Sequence, residues 1–163
     1  MYNLNSFFYT TWRIGKNEKP FKMYKIRTMR TLYNEKGQPL PDALRRTRWG
    51  DWLRKYSIDE LPQIINWLKG DMNLIGPRPL PPEYLTVMSE KERQRHQIKP
   101  GITGLAQVMG RNALSWEQKM KYDLWYIKHH SWHLDCLIFR KTLYLLLFKP
   151  NGHIAAQIWK KKK

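Results

Sequence analysis

Ser57-Ile58-Asp59-Glu60-Leu61-Pro62-Gln63 is the stretch on which the reading of this chain turns. It sets two carboxylates side by side in 163 residues that hold 13 acidic side chains against 30 Lys and Arg. Ser57 with Glu60 three positions on has the S-x-x-E spacing of a capping box, in which each side chain satisfies a backbone N–H left free at a helix start. Pro62 admits two versions of that helix. If it starts at Ile58, Pro62 falls inside, removes a hydrogen bond and kinks the helix close to the carboxylates. If it starts at Pro62, a favoured first position for proline, the pair lies on the loop entering it. Either version puts Asp59 and Glu60 near the positive end of a helix, where carboxylates tend to stay ionised. That placement suits a nucleophile or a metal ligand.

Just upstream, residues 42–56 have a helical pattern with Leu44, Trp49, Trp52, Leu53 and Tyr56 as the apolar set. Arg45, Arg46, Arg48 and Arg54 fit a solvated face, and Arg48 and Arg54 lie close before the acidic pair. Just downstream, the helix is expected to reach Lys69, burying Leu61, Ile64, Ile65 and Leu68, with Gly70 as its stop. Residues 71–82 read as a Pro-rich loop in which Arg78 stands between two prolines. A guanidinium on so restricted a backbone suits phosphate recognition, and equally an ordinary surface arginine.

Farther out, Phe7-Phe8-Tyr9-Thr10-Thr11-Trp12 and the stretch from Phe21 to Met29 read as two strands of a hairpin turning at residues 15–18. The second alternates apolar with basic residues and aims Lys22, with Lys25 or Arg27, at solvent or a ligand. Residues 31–41 form a loop. Ser89-Glu90-Lys91-Glu92 opens a short charged helix ending at Pro100-Gly101, and residues 101–112 form a glycine-bearing loop able to approach a phosphate or ribose. Ser115 and Gln118 box the start of a helix to about His130, with Trp116, Met120, Leu124 and Ile127 as its core face and Asp123 among aromatics. His129, His130 and His133 lack a metal-ligand spacing. The last helix, 134–148, is too short to span a bilayer. It suits either a core position or the headgroup boundary, with the Lys160–Lys163 tail drawn to anionic lipid.

A net charge of +17 and a pI near 10.1 call for an anionic partner: nucleic acid, acidic lipid or a phosphorylated substrate. Eight Trp and nine Tyr among the basic residues suit base stacking and membrane anchoring alike. There is no RNP pattern and no KH-like Gly-x-x-Gly loop, so a basic RNA-binding module is the weaker reading and no nucleic acid is expected. Cys136 is the single cysteine, which fits a reducing setting. No signal peptide opens the sequence. The expected fold is a helix-rich α+β single domain over 1–163. A short N-terminal β-hairpin packs on helices near 43–56, 58–69, 89–97, 115–130 and 134–148, the last an amphipathic helix at the membrane interface.

A series of motifs in unbroken order carries a resemblance: Lys22-Met23-Tyr24-Lys25-Ile26-Arg27-Thr28-Met29, Thr47-Arg48 with Gly50 and Leu53-Arg54, and the 57–63 stretch. It continues through Leu68-Lys69-Gly70-Asp71-Met72, Gly76-Pro77-Arg78-Pro79, Lys99-Pro100-Gly101-Ile102-Thr103-Gly104 and Gly110-Arg111-Asn112-Ala113-Leu114-Ser115-Trp116. From about residue 7 to 150 the chain resembles the bacterial sugar transferases, monotopic polyprenyl-phosphate phosphoglycosyl transferases, and most of all their small single-domain branch. The resemblance implies transfer of a sugar 1-phosphate from a UDP-sugar, by that branch an acetamido sugar, to polyprenyl (undecaprenyl) phosphate with release of UMP. Such enzymes act at the cytoplasmic face of the bacterial inner membrane, in the first membrane step of surface polysaccharide or glycoconjugate synthesis. By that likeness Asp59 is the nucleophile that carries the phosphosugar and Glu60 holds magnesium (Mg2+). Arg78 clamps the diphosphate, with Lys25, Arg27, Arg54 and Arg111 as further candidates, and Asp123 matches an acidic position of the family. The family's apolar re-entrant helix precedes the Phe-Phe strand and is expected to be lacking from 1–163. Without such an anchor, hydrolysis of UDP-sugars is the alternative chemistry. Trp49, Leu105 and Met109 depart from residues common in the family.

Overall fold

The computed structural model describes residues 7–148. Its first element is the expected hairpin, strand β1 (Phe8–Ile14) antiparallel to β2 (Pro20–Ile26), with Phe8 opposite Ile26 and Ile14 opposite Pro20. Phe21 and Met23 alternate inward and bury with Met72, and Ile102 packs against them. Lys22 faces out over the Trp12 ring.

Residues 42–56 form two helices in place of one, α1 (Asp42–Arg45) and α2 (Arg48–Lys55). Thr47 makes the break. It is extended, and its hydroxyl accepts from the Gly50 N–H at 2.9 Å as a cap, a bond that a continuous helix would not need. A Cβ on Gly50 would collide with the Thr28 carbonyl, so α2 rests on β2's continuation through its glycine. Trp49 and Trp52 therefore stay exposed.

The expected 58–69 helix is also divided. Ile58–Glu60 is a single 3-10 turn, and α3 (Gln63–Leu68) follows with Pro62 as its cap residue, so the helix starts one residue after the later of the two expected starts and the carboxylates lie on a 3-10 turn before it. The inward face of α3 reverses the expectation. Leu61 is 55% exposed, and Ile64, Ile65 and Leu68 are exposed too, whereas Gln63 (2%) and Asn66 (0%) are buried. The reason lies in what α3 packs against. Strand β2 has an unpaired edge, and Asn66 pairs with it as a strand would: Tyr24 N–H donates to Asn66 Oδ1 at 3.0 Å, and Asn66 Nδ2 donates to the Lys22 carbonyl at 2.7 Å.

Two segments expected as loops contain strands β3 (Asn73–Ile75) and β4 (Gly101–Thr103), which pair in parallel. Three residues are too few for an alternation to show in sequence. The glycines here serve backbone packing, because a Cβ on Gly101 or Gly104 would strike the backbone of Gly76. A short helix α4 (Glu90–Arg93) continues as a 3-10 segment to Gln97, and α5 (Leu105–Met109) lies within the glycine-bearing stretch. Both expected capping boxes, Ser89–Glu92 and Ser115–Gln118, are formed, the second opening α6 (Trp116–Lys128). Helix α7 (Trp132–Phe148) begins two residues before its expected start, with Ser131 Oγ accepting from the Leu134 N–H. Ile75, Val108, Met109, Leu114, Tyr126, Ile138 and Leu145 make the main core. Ile138 and Leu145 turn inward from α7 while Phe139, Leu143, Leu147 and Phe148 are exposed. No helix among the described residues is long and apolar enough to cross a membrane. The Lys160–Lys163 tail lies outside the described residues.

Candidate active site

The lock between α3 and β2 determines what Glu60 meets. With Asn66 fixed against Lys22 and Tyr24, the next strand residue, Lys25, reaches the 3-10 turn, and its Nζ donates to Glu60 Oε1 at 2.8 Å. Arg78 enters from the loop after β3, with Nη2 donating to the same oxygen at 2.7 Å and Nη1 to Oε2 at 3.3 Å. Ser57 sits in the left-handed region (φ 57°, ψ 23°) and caps nothing, so the Ser57–Glu60 capping box does not form. Asp59 is buried beside Glu60, and among the described residues no other side chain bonds to its carboxylate. Asp59, Glu60, Lys25 and Arg78 open together on a cavity of about 850 Å³.

The two carboxylates are driven in opposite directions. Burial disfavours the charge of Glu60, but Arg78 and Lys25 outweigh it and hold this carboxyl well below the usual range. Burial pushes Asp59 up from the usual 3.8, and the charge of Glu60 adds to that against the pull of Lys25 and Arg54. The ionising effect expected of a helix start does not govern Asp59. A single 3-10 turn supplies little dipole, and the neighbouring carboxylate is closer.

The loop bearing Arg78 is tied along its backbone. Gly76 N–H donates to the Thr103 carbonyl at 2.9 Å, Gly101 N–H to the Pro77 carbonyl at 3.0 Å, and Ile14 N–H to the Leu80 carbonyl at 2.9 Å. Prolines on both sides restrict it further. Of the other sequence candidates, Arg54 lines the cavity with its Nε on Thr28 Oγ1 at 2.8 Å, and Arg27 lines it with Nη1 on Thr31 Oγ1 at 2.7 Å. Arg111, at φ 49°, lies close enough to Glu60 and Arg78 to sense both charges, and burial lowers its pKa. Asp123 is buried in the cavity wall, paired with Arg95.

Several lining residues were not expected at a site, Arg95 among them, and Trp116 was expected in the core. Arg13 at the end of β1 senses Arg78 and Glu60, and Lys119 projects from α6. Tyr84 and Trp116 stack with ring centroids 5.1 Å apart, and Trp116 Nε1 donates to Glu92 at 2.8 Å. The spacing of Trp116, Lys119, Met120 and Asp123 on one helical face is the signal that could have found Lys119. Nine Lys and Arg line the cavity against three carboxylates. That excess of positive charge suits an anionic ligand.

The model of the bacterial sugar transferase family matches residues 1–149. The chain belongs to that family. This sugar transferase is 48% identical over 154 residues to an uncharacterized sugar transferase, EpsL, of Bacillus subtilis, covering 92% of this chain and 76% of the relative. It is 40% identical over 146 residues to the UDP-N-acetylgalactosamine-undecaprenyl-phosphate N-acetylgalactosaminephosphotransferase of Aeromonas hydrophila (83% of this chain, 34% of the relative). It is 37% identical over 158 residues to the UDP-glucose:undecaprenyl-phosphate glucose-1-phosphate transferase of Escherichia coli (88% and 32%). The chain thus spans about three-quarters of the first relative and a third of the other two. The matched region of the sugar transferase holds the whole cavity described above.

Proposed function

We propose that this sugar transferase moves a sugar 1-phosphate from a UDP-sugar to polyprenyl phosphate with release of UMP, through a phosphosugar carried on Asp59. The unshared carboxylate of Asp59, facing a cation-rich cavity beside a tethered Arg78, is the observation that carries this reading. An Asp59 oxygen attacks the sugar-bearing β-phosphorus, and the bond from that phosphorus to the bridging oxygen breaks, so UMP leaves with the oxygen. An oxygen of polyprenyl phosphate then attacks the same phosphorus, breaking its bond to Asp59 and restoring the carboxylate. Arg78, Lys25 and Arg111 offset the charge of the diphosphate, and Arg13 and Lys119 extend that field.

Mg2+ suits this donor set. It is usually held by one or two carboxylates together with substrate phosphates, and Glu60 with its neighbour Asp59 offers that pair. No group of three or more His, Cys, Asp or Glu stands together among the described residues, so phosphates would supply the remaining ligands. When bound, the ion would neutralise charge on the diphosphate. Glu60 also orders Lys25 and Arg78 around the site.

The exposed apolar side chains of α3 and α7 support a place at the headgroup boundary of an anionic membrane, the cytoplasmic leaflet of the inner membrane in this reading. The relatives' names differ in the sugar, so the test presents a panel. Incubation with radiolabelled UDP-sugars (acetamido sugars first), Mg2+ and undecaprenyl phosphate in detergent should yield UMP and a lipid-linked product in equal amounts. UMP without lipid product would indicate hydrolysis. Neither product would overturn the enzyme reading.

A further inference from the structure

The mechanism above uses Arg78 but leaves a buried charged pair behind it unexplained. Arg95 and Asp123 are 2% and 4% exposed at their side chains, the deepest ion pair among the described residues. Arg95 Nε donates to Asp123 Oδ2 at 3.0 Å and Nη2 donates to the same oxygen at 2.6 Å. The same Nη2 also donates to the backbone carbonyl of Arg78 at 2.7 Å. The other ties on this loop, at Gly76, Pro77 and Leu80, run from backbone to backbone. Only at the arginine that grips Glu60 does a side chain hold the main chain.

We propose that Arg95 and Asp123 are positioning residues, a buried strut from α6 that fixes the Arg78 peptide so that its guanidinium stays aimed at Glu60 and the incoming diphosphate. The proposal rests on the transfer reading only for the word diphosphate; the geometry of the strut stands without it. Stability alone is a poor account of the pair. A buried ion pair is often matched or bettered by apolar residues of similar volume, because both ions must be desolvated. What an apolar pair cannot do is donate to the Arg78 carbonyl. With Pro77 and Pro79 limiting the flanking torsions, the freedom left to the loop is rotation of the peptide units next to Arg78, and that rotation swings its side chain. Asp123 compensates the Arg95 charge and orients its fork, so that one nitrogen points back at residue 78. A misplacement of an ångström at such a clamp is enough to lose much of its effect.

The test replaces the strut by an apolar pair, Arg95→Met with Asp123→Leu, with and without Arg78→Met. UDP affinity is read by calorimetry, the fold by thermal unfolding, and Arg78 by its guanidinium 15N–1H resonances, assigned by their loss in Arg78→Met. The apolar pair should unfold near the wild-type temperature, yet bind UDP roughly tenfold more weakly, the loss of one charge-assisted contact. The Arg78 resonances should broaden. In the Arg78→Met background the same replacement should weaken binding no further, because residues acting as one unit are non-additive. A folded variant with wild-type resonances and affinity overturns the proposal, as do fully additive losses. Should the apolar pair fail to fold, Arg95→Lys keeps the charge opposite Asp123 without the planar fork and carries the same comparison. A wild-type chain that releases no UMP from any UDP-sugar sinks the transfer reading, while the resonances, recorded without substrate, still decide the strut.

Discussion

Ser57–Glu60 and Ser89–Glu92 have the same S-x-x-E spacing, 32 positions apart, and end in different structures. At the second, Ser89 N–H donates to Glu92 Oε2 at 2.9 Å, Glu92 N–H donates to Ser89 Oγ at 3.4 Å, and α4 begins. At the first, Ser57 is left-handed and Glu60 turns away to Lys25 and Arg78, 35 and 18 positions distant in sequence. A cap contributes about 1 kcal/mol, whereas hydrogen bonds to charged groups contribute about 1.5–3 kcal/mol each. Two cations brought close by the fold outcompete the local partner. The difference teaches that a local rule gives way where tertiary structure assembles charge, and such places tend to be functional.

The largest effects should separate the two carboxylates of the turn. Asp59→Asn should abolish UMP release and covalent labelling by the sugar donor, a loss of at least about a thousandfold, since an amide cannot form the acyl phosphate. Glu60→Gln should keep some turnover and require more Mg2+, because it alters charge next to the reacting group without removing the nucleophile. A titration of UMP release against Mg2+ for both variants checks this. If Asp59→Asn turned over normally, Glu60 would have to be the reacting group.

Thermal unfolding should rank the same two variants in the opposite sense. The native pKa of Asp59 lies above its usual 3.8, so folding disfavours its charged form, and the native state loses stability as pH rises through that window. The native pKa of Glu60 lies below its usual 4.5, so its contribution is present above that value and is lost as pH falls toward the native one. At neutral pH Asp59→Asn should raise the unfolding temperature and Glu60→Gln should lower it, with both differences shrinking in acid. Scans from about pH 3 to pH 8 decide it.

The hairpin, the acidic pair and the Ser89 and Ser115 caps were legible because each rests on residues close in sequence. The motif series named the family, while the strand alternation pointed to Lys25 and the flanking prolines to Arg78. That Glu60 would bind both was not legible, since the contact depends on Asn66 reading the edge of β2. For the same reason the apolar residues of α3 were expected inside. Their 3.6-residue period is real, but the core needed the amide on the other face. Strands β3 and β4 were missed because three residues carry no period, and Arg95 because a buried arginine in a run of charges looks like any surface residue.

The smallest effects return to the two serines. Ser57 occupies a left-handed conformation that costs a non-glycine residue roughly 1–2 kcal/mol, and its side chain makes no cap that would compensate. Glycine removes that cost, although it gives back about 0.5–1 kcal/mol through the greater freedom of the unfolded chain. Ser57→Gly should therefore leave the unfolding temperature unchanged or slightly higher. Ser89→Ala loses a formed cap worth about 1 kcal/mol. For a chain of this length it should lower the unfolding temperature by about 2–4 °C. Ser89→Ala should leave UMP release as it was, because Ser89 lies on an exposed helix start and does not line the cavity. A Ser57→Gly protein that melted as low as Ser89→Ala would break the comparison. The strained serine would then be stabilising the turn through its side chain, and the carboxylate pair would owe its position to Ser57 as well as to Lys25 and Arg78.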